Sequence, residues 1–157
     1  MTLQSFIGGR WIGQQAAQAL HSAVNGATVA HTHAEALDFG EALHFARCTG
    51  LPALMALDFQ ERAARLKALA KYLNEHKESL YAISAHTGAT RADSWVDIEG
   101  GTGTLFAYAS MGSGELPSGN LIHEGPALPL GKKGSFAGTH ILVPRGGLAV
   151  HINAFNF

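Results

Sequence analysis

The chain has 157 residues, 46% hydrophobic and 15% charged, which is the composition of a globular domain rather than of a disordered segment. Its formal net charge of −1 argues against nucleic acid or an acidic membrane as a partner, because both require a basic protein surface. The single cysteine, Cys48, excludes an internal disulfide. Residues 1–4 lack the layout of a signal peptide, and no apolar run approaches the ~20 residues of a membrane helix, so we expect a cytoplasmic protein.

The N-terminal segment has the pattern of short strands. Apolar residues flank Gly8 and Gly9, which predicts a β-hairpin over residues 5–12 with a two-residue turn. A second short extended segment is predicted over residues 24–29, interrupted by Asn25 and Gly26.

Two predicted helices begin with the same signature. Asp38 and Asp58 are each followed three residues later by Glu, which is the spacing of a capping box. The first helix is expected to end near Cys48, before Gly50 and Pro52.

The longest helical patterns follow. The helix after Asp58 has an apolar face with helical spacing, formed by Leu66, Leu69, Ala70 and Leu73. Residues 77–87 continue as a helical segment that ends at Gly88, a typical residue just beyond a helix C-terminus. A third helix is predicted over residues 94–111, capped by Asp93 or Ser94 and closed by Gly112. One of its sides carries Trp95, Ile98, Thr102, Leu105 and Ala109.

Beyond Gly112 the sequence becomes rich in proline and glycine. Residues 121–122 and 128–130 are predicted strand edges, and residues 135–143 have the pattern of another strand. Together they indicate an extended arm rather than a helical core. The alternation of apolar residues over 148–153 predicts a core strand near the end of the sequence.

Three sequence blocks carry a resemblance to a known family. Residues 6–11 read FIGGRW, residues 87–101 read TGATRADSWVDIEGG, and residues 151–157 read HINAFNF. Together they resemble the N-terminal part of the aldehyde dehydrogenase superfamily. The second and third blocks are most similar to the branch that forms the dehydrogenase half of the bifunctional ring-opening protein of phenylacetate degradation. The related branch of aerobic benzoyl-CoA breakdown is also similar.

The resemblance implies an α/β fold, the N-terminal portion of an aldehyde dehydrogenase-like (Rossmann-type) domain with an extended β oligomerisation arm. Residues 1–112 would form the N-terminal hairpin and helical part of the cofactor-binding domain. Residues 113–146 would form the arm, and residues 147–157 the first core strand and an Asn motif, with the catalytic domain absent from these residues.

The same resemblance implies a reaction and its residues. Asn156 would hydrogen-bond the oxygen of the hemithioacetal, and Ile152, Ala154 and Phe155 would lie near NAD or NADP. The usual Pro-Trp pair is replaced by Ala154 and Phe155, which removes a fixed φ and some ring area. The catalytic Cys and the Glu that activates water lie further along in the family, so we expect these 157 residues to be inactive alone.

The implied substrate is a small-molecule aldehyde, in this branch a ring-opened CoA-linked semialdehyde. The implied assembly is a homo-oligomer formed through residues 121–146, with Phe136, Ile141 and Val143 in the interface. The alternative is a non-catalytic truncated paralogue that uses the same framework as an association module. An unrelated helical binding module would explain the helices but not the residues that end the sequence.

Other features of the sequence have simpler interpretations than a site. Asn156 could cap a turn. Cys48 closes a predicted helix and is expected to be a small packed residue rather than a nucleophile. Residues 100–103, GGTG, lack the spacing of a phosphate loop and are expected to allow close helix packing. The pair His31 and His33 lacks the further ligands of a zinc site, so no metal is predicted, and a solvated loop is expected there. Lys132 and Lys133 are expected to face solvent.

Overall fold

The computed structural model describes residues 1–153 and combines helices with short antiparallel sheets. Within these residues the helices are α1 (Phe39–Phe45), α2 (Leu51–Met55), α3 (Phe59–Glu75), α4 (Lys77–Ser84) and α5 (Arg91–Gly114). The strands are β1 (Ser5–Ile7), β2 (Arg10–Ile12), β3 (Ala16–His21), β4 (Thr28–His33), β5 (Ile122–Leu130) and β6 (Phe136–Leu142). Each strand of residues 1–153 pairs with its neighbour in sequence, so these strands do not build a parallel sheet among themselves. No helix within this part of the chain combines the length and apolarity needed to cross a membrane.

The predicted N-terminal hairpin is confirmed. Gly8 and Gly9 have φ values of 59° and 80°, the positive values that a tight two-residue turn between twisted strands requires. The pairing of β1 with β2 places Phe6 opposite Trp11, and their ring centroids lie 5.0 Å apart.

The predicted extended segment at residues 24–29 is wrong. β3 and β4 form a longer hairpin, and Asn25 and Gly26 lie in the turn between them. The Asn25 side chain accepts a hydrogen bond from the Ala27 amide at 3.0 Å, and Gly26 has a φ of 72°. An Asn-Gly pair therefore connects two strands here, which is its usual role in hairpins, rather than interrupting one.

The predicted start of α1 is confirmed, but only half of its capping box forms. Asp38 accepts from the Glu41 amide at 2.9 Å. The Glu41 carboxylate does not return to the cap but pairs with Arg10 on β2 at 2.6 Å. This ion pair joins the N-terminal hairpin to the first helix.

The predicted end of the first helix near Cys48 is wrong. The helical path continues through one π-helical stretch, Ala46–Gly50, into α2 and reaches Met55. Pro52 lies near the start of α2, directly after the π-helical stretch, and its missing amide hydrogen removes one hydrogen bond without ending the helical path. The wider turn thus lets the chain pass Gly50 and Pro52 without ending the helix.

The central packing unit is the pair α3 and α5. The predicted capping box at Asp58 is complete, with Glu61 returning to the Asp58 amide at 2.9 Å. Helix α5 begins about one turn earlier than predicted. Its N-cap is Thr90, and Asp93, the third residue of the helix, completes the capping box. The predicted face is confirmed at Thr102 and Ala109, which are buried, but is wrong at Trp95. Trp95 is 56% exposed, whereas Ser94 is buried.

Gly112 lies inside α5 rather than closing it, and it sets the distance between the two long helices. A Cβ added at Gly112 would lie 3.1 Å from the Cβ of Ala63 on α3. By contrast, no atom comes within 4 Å of a Cβ added at Gly100, Gly101 or Gly103. Within residues 1–153 the close helix packing predicted for residues 100–103 is therefore provided by Gly112 instead.

The buried core of the described chain is small. Its buried apolar residues are Ala30, Ala63, Ala70, Tyr81 and Ala109. The accessible surface is 11789 Å². A compact monomer of the same mass would expose about 7,600 Å². Large apolar side chains therefore remain open to contact with further protein.

The C-terminal part differs from the prediction in one respect. β5 and β6 form an antiparallel hairpin, which confirms the predicted strand at residues 135–143 and joins the two predicted strand edges into one strand. Residues 148–153 form no strand, contrary to the alternating pattern, and Val150 is 74% exposed. A strand exists only beside a partner that completes its hydrogen bonds, and no described strand lies next to this segment.

The helix contact gives a first prediction. We expect Gly112→Val to lower the free energy of unfolding by about 1–3 kcal/mol, because the added side chain would enter the space of Ala63. The matched control is Gly103→Ala, which should raise it by about 0.5–1 kcal/mol, because the site is open and alanine favours helix. Thermal unfolding of the two variants measures both effects. Equal effects from the two substitutions would contradict the packing role of Gly112.

Candidate active-site segment

The segment that follows β6 carries the predicted site residues. Pro144 is half-buried, and a Cβ added at Gly146 would lie 3.6 Å from Cδ2 of Leu51, so the segment starts against α2. Beyond Gly147, whose φ is 152°, residues 148–153 are exposed. Ile152 is 91% exposed and presents a bare apolar side chain. The other predicted site residues, Ala154, Phe155 and Asn156, lie outside the described residues.

A polar cluster joins α4 to the first turns of α5. The Glu99 carboxylate accepts hydrogen bonds from Tyr81 Oη at 2.9 Å and from Lys77 Nζ at 3.1 Å. The Arg91 guanidinium lies 4.2 Å from the centre of the Tyr81 ring and donates to Glu78 at 2.9 Å. These contacts hold in place the part of α5 whose sequence is most specific in the resemblance.

The cluster shifts the protonation of its members. The hydrogen bond from Tyr81, followed by that from Lys77, lowers the pKa of Glu99. Burial, followed by the hydrogen bond to Glu99, raises the pKa of Tyr81. The hydrogen bond with Glu78 raises the pKa of Arg91. The contacts stabilise the charged form of both Arg91 and Glu99, as expected for a structural ion-pair network rather than for a general acid or base.

The sequence prediction did not include this cluster. Lys77, Glu78 and Tyr81 are spaced so that they share one face of α4, which is the only signal in the sequence. Their partners Arg91 and Glu99 lie on another helix, so only the packing of α4 on α5 brings the five together.

Two residue types that often form sites do not form the predicted environments. Cys48 is exposed rather than packed, and its Sγ lies 3.7 Å from Nδ1 of His44, one helical turn earlier. His31 and His33 lie on β4 rather than in a solvated loop. Among residues 1–153 no group of three or more His, Cys, Asp or Glu side chains is arranged to hold a metal ion. Lys132 and Lys133 are exposed in the turn between β5 and β6, as predicted.

Comparison with known proteins identifies the family. The sequence profile described as "Aldehyde dehydrogenase family" matches residues 11–157, which is nearly the whole chain. The chain belongs to the aldehyde dehydrogenase family. It is also 38% identical, over 159 aligned positions, to a 3,4-dehydroadipyl-CoA semialdehyde dehydrogenase of Aromatoleum evansii. That alignment covers 100% of this chain and 31% of the relative, so the chain spans about a third of the relative's length.

The family match confirms the resemblance carried by the three sequence blocks. It includes residues 151–157, and therefore the position of Asn156, although the structure does not describe that residue. The role of each site residue remains a prediction.

The lowered pKa of Glu99 gives a second prediction. A carboxyl whose folded pKa is lowered contributes stability above its unfolded pKa, about 4.3 for Glu, and loses that contribution as the pH falls through the folded value. Glu99→Gln should therefore be destabilising at neutral pH, and the difference from the native protein should shrink as the pH is lowered below the ordinary Glu range. Unfolding curves recorded across this pH range measure the effect.

Two further variants test the cause. Tyr81→Phe removes the largest contribution to the lowered pKa of Glu99, so it should weaken the same pH dependence. The control is Glu75→Gln, since the exposed Glu75 carboxylate makes no hydrogen bond or ion pair within the described chain. If Glu75→Gln shows the same pH-dependent loss as Glu99→Gln, the cluster is not its source.

Proposed function

We propose that the chain is the N-terminal part of a longer NAD(P)-dependent aldehyde dehydrogenase that oxidises an aldehyde to the acid. The observation that carries this proposal is the family match over residues 11–157, which extends into the Asn motif. The proposed domain division places residues 1–112 in the cofactor-binding domain, residues 113–146 in the arm, and residues 147–157 in the first core strand. That strand would form once parallel neighbours from the same Rossmann-type sheet lie beside it.

The proposed substrate is a ring-opened, CoA-linked semialdehyde of phenylacetate or related aromatic catabolism. Two independent observations support this class. Residues 93–101 and 151–157 resemble the phenylacetate branch, and the relative with 38% identity is named for a CoA semialdehyde. Only the chemical class of that relative's substrate is proposed for this chain.

The proposed role of Asn156 is to stabilise negative charge on the substrate oxygen. When a thiolate attacks the aldehyde carbon, charge develops on that oxygen, and a preplaced amide N–H donor lowers the barrier. The thiolate and the Glu that activates water would come from residues further along a longer chain. The exposed Cys48 does not replace them, so we propose that residues 1–157 alone are inactive.

The proposed cofactor contacts are Ile152, Ala154 and Phe155. NAD or NADP, when bound, accepts the hydride that the substrate loses. Of the three residues the structure describes Ile152, and its almost fully exposed apolar side chain is compatible with contact to a flat ring system. An apolar wall with a few polar groups is the usual lining of a cofactor site.

The proposed assembly is a homo-oligomer formed through residues 121–146. The β5–β6 hairpin is exposed on both faces, and its exposed side chains include Leu128, Leu130, Phe136, Ile141 and Val143. An isolated two-stranded ribbon is marginally stable in water, and exposed apolar strands are usually covered in native proteins. A second copy of the chain would provide that cover.

The same exposed hairpin also favours the alternative function. A truncated paralogue without catalytic residues could use the hairpin as an association module. The two functions differ in one measurable property, because a non-catalytic module would associate through the arm but would not oxidise aldehydes in any form of the protein.

The catalytic role of Asn156 gives a third prediction. In the full-length protein, Asn156→Ala should lower turnover by ~10²–10³ while leaving cofactor affinity nearly unchanged, because the lost donor acts mainly on charge that develops in the transition state. The matched control is Asn74→Ala, which removes an amide from the exposed surface of α3 and should leave turnover unchanged. Steady-state kinetics and cofactor titration give both values. A parallel loss of turnover and cofactor affinity would instead assign Asn156 a structural role.

The arm gives a fourth prediction, sharpened by the alternation of its side chains. Phe136 lies on one face of the hairpin, whereas Ile141 and Val143 lie on the other. We expect Phe136→Asp and Ile141→Asp together to reduce the oligomer mass measured by light scattering, since a buried unpaired charge is costly. The single variants identify which face is covered, and Asn74→Asp, at an exposed residue of α3 outside the arm, is the control. Wild-type mass and activity in the double variant at low micromolar concentration would remove the arm from the interface.

A further inference from the structure

Three side chains near the N-terminus lie next to one another in an arrangement that was not predicted from the sequence. Ser5 Oγ on β1 lies 3.0 Å from Nε2 of His33 on β4. On the other side of the ring, His33 Nδ1 lies 3.8 Å from Oε2 of Glu35. The order of groups is hydroxyl, imidazole, carboxylate, although Ser5 is distant in sequence from His33 and Glu35.

The charge on Glu35 selects the tautomer of His33. Nδ1 is buried and makes no hydrogen bond to the described residues, and it faces the carboxylate. An N–H directed at a carboxylate is favourable, whereas a lone pair directed at it is repelled. Nδ1 therefore carries the proton, which leaves Nε2 as an acceptor and makes Ser5 Oγ the donor. The distance of 3.8 Å exceeds that of a hydrogen bond, so Glu35 acts on the ring through its charge.

The carboxylate and the ring are both held in place. The Glu35 carboxylate accepts hydrogen bonds from the backbone N–H groups of Gln14 at 2.9 Å and Gln15 at 3.0 Å. These bonds fix its position. The chain before them passes close over the imidazole. A Cβ added at Gly13, whose φ is 130°, would lie 3.0 Å from Cδ2 of His33 and 2.9 Å from the Leu3 carbonyl oxygen. Only glycine fits there, so the ring is confined by backbone.

An open cavity lies beside the hydroxyl. Its volume is about 250 Å³, and it is lined by Leu3, Gln4, Ser5, Thr32 and His33. Drug-sized ligands occupy pockets of ~300–1,000 Å³, so this one suits a small group. Ser5 is partly exposed and can be reached from this cavity.

We propose that Ser5 is an activated hydroxyl that takes up a small acyl group from an activated ester or thioester. In that step the bond between Ser5 Oγ and the acyl carbon forms as the bond from that carbon to the leaving oxygen or sulfur breaks. The Oγ proton passes to His33 Nε2 and from there to solvent, and the leaving group departs as its anion. No oxidant or reductant is needed. This site goes beyond the aldehyde oxidation proposed above and does not depend on it.

The location of Ser5 limits the outcome to acylation. Ser5 lies on a strand rather than at a helix N-terminus, so the positive end of a helix dipole does not face the developing oxyanion. Acylation and hydrolysis both pass through this oxyanion, but acylation also gains from the good leaving group of the activated ester, whereas the acyl-serine is an ordinary ester. The acyl group is therefore expected to accumulate at Ser5 rather than to turn over.

The test uses p-nitrophenyl acetate as the probe and tandem mass spectrometry as the readout. All proteins carry Cys48→Ser, so that the exposed thiol cannot react. The internal control is Ser118, an exposed serine without a neighbouring base among its described contacts. Acetylation of Ser5 should be about tenfold or more faster than that of Ser118. This factor is below the ~10²–10⁴ typical of general-base catalysis, because oxyanion stabilisation is weak. His33→Gln should lower the Ser5 rate to that of Ser118, and Glu35→Gln should lower it several-fold.

Two results would overturn the proposal. One is acetylation of Ser5 no faster than that of Ser118, and the other is fast acetylation that persists in His33→Gln. Hydrogen exchange of the Leu3 amide, which donates to the His31 carbonyl at 2.8 Å, reports whether the N-terminal segment still lies on β4. If hydrogen exchange of the Leu3 amide becomes fast in His33→Gln, that variant has lost local structure and Glu35→Gln is used as the test. A Ser5 acetylation rate that Glu35→Gln leaves unchanged then counts against activation of Ser5.

Discussion

The close approach of α3 and α5 at Ala63 and Gly112 is the contact on which the rest of the arrangement depends. Because α3 and α5 are the longest helices of residues 1–153, their contact fixes the direction of the chain before and after them. The chain that leaves α5 turns back along the start of α3, where Gln60 donates to the carbonyl oxygens of Leu116 and Pro117. The Phe59 amide donates to the Gly119 carbonyl at 3.0 Å. The starting point of the β5–β6 hairpin is therefore set by the helix pair.

The helix pair achieves this position with small side chains and little buried area. Most of its buried residues are alanine, serine or threonine, so the close approach gains dispersion contacts but removes little apolar surface from water. The polar cluster around Glu99 adds specific contacts between α4 and α5, and its charges remain partly exposed to solvent. The described chain therefore has a defined helical arrangement and a large amount of apolar surface still open. Apolar surface of this extent is available for contact with further protein.

The N-terminal hairpins depend on the helices through a few directed contacts. Arg10 pairs with Glu41 on α1. At the other hairpin, the Ala23 amide donates to the His86 carbonyl at 2.8 Å, which ties the turn between β3 and β4 to the end of α4. Backbone hydrogen bonds of His31 with Met1 and Leu3 place β4 beside the first residues of the chain. The contact of Ser5 with His33, which lies two residues before Glu35, therefore results from the tertiary arrangement of two segments distant in sequence.

The sequence by itself determined the elements that depend on local chemistry. Capping at Asp38 and Asp58, the turn at Gly8 and Gly9 and the stop at Gly88 all follow from hydrogen bonds and φ preferences within a few residues. The sequence blocks also indicated the family, because a family motif is recognised from the identity of its residues and not from their conformation. The prediction that Asn156 is a site residue rests on this kind of information alone, since Asn156 lies outside the described residues.

Only the tertiary structure decided the features that depend on distant partners. Trp95 has the spacing of a buried residue, yet it is 56% exposed, whereas Thr102 and Ala109 on the same predicted face are buried. Residues 148–153 have the pattern of a strand but no neighbour to pair with, and a pattern of alternation cannot supply one. The helix beyond Cys48 continues through a π turn past Pro52, which local breaker signals do not reveal. In each case the decisive energy comes from contacts between segments, and these are absent from any short stretch of sequence.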